Sequence, residues 1–411
     1  MKSTLLTILG LAVFLCAEAA RAGDSPQFRG PHRDGRFDEQ GLLKEWQESG
    51  PPQLWVAKGL GQGYASVSVA GGKIYAPGMM EDQNGYISVL GLDGAIEKKI
   101  LYGPETQDKQ APGPRSTPTL DGERLYLLSG LGVAYCIDLA QGNTKWEVNI
   151  LERFKGETTE WTLAESLLVD GDRVICTPGG PDAGVAALDK LTGETVWTTK
   201  GLSDQASYCS PALIVHNNRR MILTETAKLV VGIDADTGTL LWTHEHPTEY
   251  DIHAVTPLYD KGLVYFTGGY GSGGGVLELS PVGSSVTLKW EDKTLDCQHH
   301  GVVLDNGYLY GTGHKTRKLV CLEMATGKLM WATEEVRQGA VVYADGMLYV
   351  YEGPRTGIVS LVKPSPAGLE RTGSFKVTEG GGNHWAHPVI AGGCLYIRHG
   401  DALIAYNLKT P

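Results

Sequence analysis

A chain of 411 residues is long enough for several domains. Its formal charge of −11 excludes a general nucleic-acid binder, which needs a basic surface to release counterions from phosphates. Glycine supplies 55 residues, tyrosine outnumbers phenylalanine 18 to 6, and no long stretch has helical periodicity; short apolar runs broken by Gly, Asn and Asp turns therefore indicate an all-β protein.

In chain order, Lys2, the apolar run from Leu5 to Ala17 and Ala20-Arg21-Ala22 predict a signal peptide over residues 1–22. The run is too short for a stable transmembrane anchor. Leu15 ahead of Cys16 is the wrong residue for lipoprotein cleavage. The expected product is exported, periplasmic or extracellular, without a lipid anchor or membrane span. Losing Lys2, Arg21 and Glu18 moves its formal charge from −11 to −12.

Residues 23–51 form a lead-in. It contains "QFRGPHRDGRF", Gln27 to Phe37, a basic stretch in an acidic protein, and then "LLKEW". Next comes "PQLWVAK", Pro52 to Lys58, which reads as a strand without an obvious partner.

From residue 52 to 411 the chain repeats itself. An acid, a glycine four later and a tryptophan eight later recur at "DLAQGNTKW", "DKLTGETVW", "DADTGTLLW" and "EMATGKLMW", ending at Trp146, Trp197, Trp242 and Trp331. A strained copy ends at Trp290, and "LDGAIEKKI" near Asp93 lacks the tryptophan. Asp and Gly make a hairpin turn, and the tryptophan buries a large ring between neighbouring sheets. A second phrase, a turn followed by an apolar pair, places Tyr75, Tyr126, Ile175, Ile222, Tyr265, Tyr310, Tyr349 and Tyr396 at blade-like spacing. The last unit stops at "LIAYNLKTP" without an outer strand. The strand carrying Trp55 completes it, predicting a single eight-bladed β-propeller of four-stranded blades, closed by its N-terminus. A closed ring needs no second chain, so a monomer is expected.

The acid–glycine–tryptophan phrase around eight blades resembles the pyrroloquinoline-quinone-like (PQQ-like) propeller repeat. Quinoprotein dehydrogenases and the lipoprotein scaffold of the outer-membrane β-barrel assembly machine share that repeat. The lead-in "QFRGP…DG…LLKEW" is most similar to secreted assembly-factor-like members. The resemblance implies the fold; function must be argued from the site.

Aligned on the innermost strands, the repeats put Ser66, Thr117, Ser166, Ser210, Thr256, His300, Gly339 and His387 in one ring, mostly hydroxyl residues suited to satisfying backbone groups around a channel. Neighbouring positions add Tyr64, Arg115, Glu165, Tyr208, His253, His299, Gln338, His384 and Trp385 as candidates for a polar, aromatic pocket at the channel mouth. Three readings compete. The first is a non-catalytic scaffold holding a protein, peptide or glycan. The second is a quinone enzyme, for which the resemblance implies PQQ with calcium, carboxylate and amide ligands, and commonly a Cys-Cys pair that this chain lacks. The third is a metal site at His300 and His387, although adjacent His299 and His300 on a strand would face opposite ways. No catalytic residue is assigned, and no cofactor is expected under the first reading.

"GGYGSGGG", Gly268 to Gly275, lacks the following helix of a dinucleotide site and reads as a hairpin. Cys136, Cys176, Cys209, Cys297, Cys321 and Cys394 fall on non-neighbouring strands, predicting free and mostly buried thiols. In this frame the basic stretch becomes a clasp against the last blade or its neighbours. Arg29, Arg33 and Asp34 would pair with acidic turns, and Phe28 would pack on the propeller.

Overall fold

The computed structural model describes residues 23–409, so the signal-peptide segment lies outside the described residues. Eight blades of four antiparallel strands surround a channel, and the short strand Arg36–Phe37 adds a fifth to blade 7. Blade 2 is typical, with strands Thr119–Asp121, Arg124–Leu128, Val133–Asp138 and Asn143–Asn149 running from the channel outwards. Blade 8 has three strands from the C-terminus, and its outer strand is Gln53–Ala57, with Trp55 opposite Ala405 and Ala57 opposite Leu403. The predicted closure is present. A five-residue helix at Ile150–Phe154, which the sequence pattern does not announce, links blades 2 and 3; Asn149 caps it and Ile150 and Phe154 are buried.

The repeated phrase works across blades. Asp138 Oδ1 accepts from the Gln141 amide at 2.8 Å, and Asp189 Oδ1 accepts from Leu191 and Thr192 at 2.9 Å, forming the turns. The turn glycine of one blade lies against the tryptophan of the blade before it. A Cβ on Gly193 would sit 3.0 Å from the Trp146 ring, and one on Gly327 would sit 2.6 Å from Trp290. The same indoles donate across the seam, Trp146 to the Lys190 carbonyl at 3.0 Å and Trp290 to Met324 at 2.9 Å. Trp55 bonds Leu92 of blade 1 at 2.8 Å, and Trp331 bonds Ser365 at 2.7 Å. Trp197 and Trp242 pack without an indole hydrogen bond. Blade 1 lacks the tryptophan, and its Ile100 takes that place against Gly142. In every blade a bulge or register shift falls between the outer two strands, strengthening the local twist.

The lead-in departs from expectation. It does not simply lie on the last blade; it crosses the channel. Ser25 exchanges backbone hydrogen bonds with Val69 of blade 1, and the Pro26 carbonyl accepts from Leu120 of blade 2. Arg33 then donates to the Ser166 and Leu167 carbonyls of blade 3. On the opposite side Arg29 donates to Val302 of blade 6 at 2.7 Å and Val341 of blade 7 at 3.1 Å. Arg36–Phe37 pairs in parallel with the inner strand of blade 7, Gly339–Ala344. The chain leaves between blades 7 and 8, where Leu43 bonds Leu408, Trp46 bonds Thr372, and the Trp46 ring packs on Tyr349 and Phe375.

Arg29 and Arg33 therefore do not pair with acidic turns. Both are buried, and burial lowers each to about 10, leaving them charged at neutral pH. The short inner strands present carbonyls to the channel, and the forked guanidinium donors satisfy them. Asp34 caps the Arg36 amide at 2.9 Å. Only Arg36 meets a turn carboxylate, Asp305 at 3.1 Å, while lying 3.9 Å over the Tyr343 ring.

The other local readings hold. Gly268 pairs with Gly273 in a hairpin. Cys136, Cys176, Cys209, Cys297 and Cys321 are buried free thiols, and Cys394 is half-buried.

Candidate functional site

At the channel mouth a cavity of about 270 Å³ opens above the arm. Alternation along the segments that lead into the inner strands builds it. Tyr64 and Ser66, Arg115 and Thr117, Tyr208 and Ser210, and Trp385 and His387 are pairs two residues apart, so both members face the same way. The residues between them face the blades. The hydroxyls tie each blade to the next: Ser66 Oγ donates to the His387 carbonyl at 2.9 Å, and Ser210 Oγ accepts from the Ser166 amide at 2.9 Å.

Of the sequence candidates, Tyr64, Arg115, Tyr208, His299, Trp385 and His387 line this cavity. Glu165, His253, His300, Gln338 and His384 do not. Glu165, Gln338, His253 and His384 have the opposite parity and are buried. Glu165 accepts from the Thr177 amide at 2.9 Å, and burial pushes its carboxyl up to about 8 despite Arg33 nearby. His253 donates from Nδ1 to the Thr226 carbonyl at 2.9 Å and meets His246 at 3.2 Å. His384 bonds the Tyr351 hydroxyl and stacks on His399 at 3.8 Å. His299 and His300 do not face opposite ways; their rings lie 4.0 Å apart, because this segment bends ahead of its strand and Gly301 has φ +73°.

Loops supply what the repeat phase misses: Gln110, Trp161 and Tyr270, with Phe28 of the arm forming the floor beside His387, ring centres 5.1 Å apart. Trp161 packs near Tyr208 and Tyr250, and Tyr250 packs on Tyr270, ring centres 5.4 Å apart. Tyr64 and Trp385 form a second aromatic pair, 5.2 Å apart. They belong to blades 1 and 8, opposite blades 4 and 5.

The polar groups are mostly tied. Arg115 donates to the Ala111 carbonyl at 2.9 Å and to Trp161, and pairs with Asp108 at 3.3 Å. His387 donates from Nε2 to the His299 carbonyl at 2.8 Å, and its Nδ1 accepts from Arg29 at 3.1 Å. Burial and then Arg29 push it down to about 3. With both nitrogens engaged, His387 has no lone pair for a metal. His300 is fully buried with neither ring nitrogen bonded, and among the described residues no three His, Cys, Asp or Glu side chains cluster as a metal site. His299 is lowered to about 4 by burial, so both lining histidines are neutral at pH 7.

The architecture is that of an eight-bladed propeller with an aromatic pocket at one channel mouth and an N-terminal arm beneath it. Residues 105–333 match the family model described as outer membrane protein assembly factor BamB, and the chain belongs to that PQQ-like propeller family. The assembly factor BamB of Kangiella koreensis is 29% identical over 154 residues, 37% of this chain and 34% of that protein. The BamB of Moranella endobia is 23% identical over 243 residues, 57% of this chain and 48% of that protein. The matches thus span a third to a half of these relatives' lengths. The crystal structure of BamB from Moraxella catarrhalis superposes with a TM-score of 0.62 at 16% identity, covering 87% of this chain and 99% of that one. Quinohemoprotein alcohol dehydrogenase from Comamonas testosteroni gives 0.68 at 13% identity, covering 96% and 82%. At these identities the two structures share the fold alone.

Proposed function

We propose that the protein is an exported binding and assembly platform, without catalysis of its own, that holds a protein, peptide or glycan partner at the channel mouth. The observation that carries this reading is the state of the pocket's ionisable groups. Arg115 is occupied by Asp108 and two carbonyls, and His387 is bonded at both nitrogens. Neither is free to exchange a proton with a substrate, and His299, unbonded at Nε2, has that atom buried and is held neutral by burial, whereas the aromatic walls offer contact area at low entropic cost. Relatives named as assembly factors agree with it. The signal-like N-terminus supports export, and among the described residues no helix is long and apolar enough to cross a membrane.

The quinoprotein likeness favours a second reading, a quinone- or metal-dependent oxidoreductase. The donor set fits it poorly. Calcium takes several oxygen ligands, usually including carboxylates, and no Asp or Glu lines the cavity. Glu165, the carboxylate of the ring, is turned towards Thr177. The test is addition of PQQ and calcium, followed by dye reduction with alcohols and sugars and by the melting curve. The platform reading expects neither turnover nor a shift; turnover overturns it.

A further inference from the structure

We propose that the mouth pocket binds a neutral sugar ring, a pyranose unit of an uncharged oligosaccharide. This rests on the platform reading above and names its ligand. The walls are aromatic on opposite sides, Tyr64 and Trp385 facing Trp161, Tyr208 and Tyr270 across the channel. Ring faces accept the C–H faces of a pyranose, while its hydroxyls need polar partners at the edge. Those partners are present. Gln298 donates from Nε2 to the Tyr270 hydroxyl at 2.7 Å, which orients its amide and leaves Oε1 as an acceptor. Gln110, exposed at the rim of the same cavity, supplies a second amide.

Charge decides between a sugar and an ion. The Arg115 cation is met by Asp108, and no carboxylate lines the cavity. Glu160 and Glu249 flank Trp161 and Tyr250 in sequence, and the chain as a whole is acidic. An anionic ligand would meet no free cation and an unfavourable field, and a cationic one would find no carboxylate. A cavity of about 270 Å³ suits one or two rings.

The backbone adds an independent observation. Thr162, Tyr250 and Tyr270 adopt φ of +62°, +65° and +61°, a left-handed conformation uncommon for such residues. These are the residues that carry or adjoin the aromatic wall. Tyr250 stands between Trp161 and Tyr270 in ring contact with both, as a preformed platform requires.

The test is calorimetric and fluorescence titration of the full chain with neutral gluco-, manno- and N-acetylglucosamine oligosaccharides, uronic-acid oligomers and uncharged tripeptides. Saturable binding of a neutral oligosaccharide is expected, weakened about tenfold or more by Trp161→Ala and by Gln298→Leu. The uronic-acid oligomers and tripeptides should bind at least about tenfold more weakly. Melting curves of both variants verify folding, and the milder Trp385→Phe should retain binding with an altered fluorescence response. Absence of neutral-sugar binding, or binding unchanged by both wall variants, overturns the proposal. If a photocrosslinker at Tyr250 still captures a partner while no sugar binds, the sugar is wrong and the platform stands. If neither occurs, both fall.

Discussion

Arg29 of the N-terminal arm reaches His387 of the last blade, Nη1 to Nδ1 at 3.1 Å. The contact fixes the histidine's tautomer, with Nε2 donating to the His299 carbonyl. Arm, last blade and pocket wall are thereby one hydrogen-bonded unit. Replacing Arg29 by Met leaves the Val302 and Val341 carbonyls without these donors. Each unsatisfied buried group costs about 1–3 kcal/mol, so a marked loss of stability is expected in urea unfolding. Lys in its place, a single point donor, should restore only part of it.

The buried histidines set an acid limit. His246 and His387 are lowered to about 3, and His253, His299 and His384 to about 4, by burial first. Unfolding raises them to near 6.5, so the unfolded chain binds more protons between these values. Their contribution is full above about pH 6.5 and is lost as pH falls towards 4 and 3. Glu165, raised to about 8, acts oppositely: its contribution is lost as pH rises from about 4.5 through 8. His387→Gln should flatten the fall in the unfolding midpoint between pH 6 and 4. An unchanged slope would remove His387 from this role.

Gly193 has φ +74° and faces the Trp146 ring. Gly193→Ala should cost about 1–3 kcal/mol from strain and crowding. Gly171→Ala, also at positive φ but with open space around it, should cost less. Equal losses in chemical denaturation would mean that the seam contact contributes nothing.

Deleting Gln27 to Phe37 removes the channel crossing and the pocket floor. The melting temperature should fall further than for Arg29→Met. An unchanged curve would mean that the arm is not a clasp.

The thiols of Cys136, Cys176, Cys209, Cys297, Cys321 and Cys394 should be unreactive in the folded protein, Cys394 excepted, and all six should titrate after denaturation without reductant. Fewer would indicate a disulfide and a different strand register.

The ring was legible because its seams are written in the chain. Trp146 and Gly193 are each half of a contact, and their recurrence counts the blades. The missing outer strand after Leu403 matched the unpaired one around Trp55 for the same reason. The pocket was only partly legible. Tyr64, Arg115 and Trp385 fell out of the repeat phase, and strict alternation would also have set Glu165 and Gln338 aside. Trp161 and Tyr270 sit on connecting loops that follow no period, so no spacing pointed to them. The arm misled because its charges suggested carboxylate partners. Arginines this deeply buried bond backbone carbonyls instead, and nothing in local sequence distinguishes the two.

In the proposed platform the channel mouth, not the outer strands, is the binding face. Site-specific photocrosslinking in the exporting cell tests it most directly, comparing Tyr250 on the mouth with Leu288 on the outer strand of blade 5, both exposed. The account predicts a discrete adduct from position 250, lost in Trp161→Ala, and none from position 288. Adducts from 288 alone, or identical adducts from both, would contradict it.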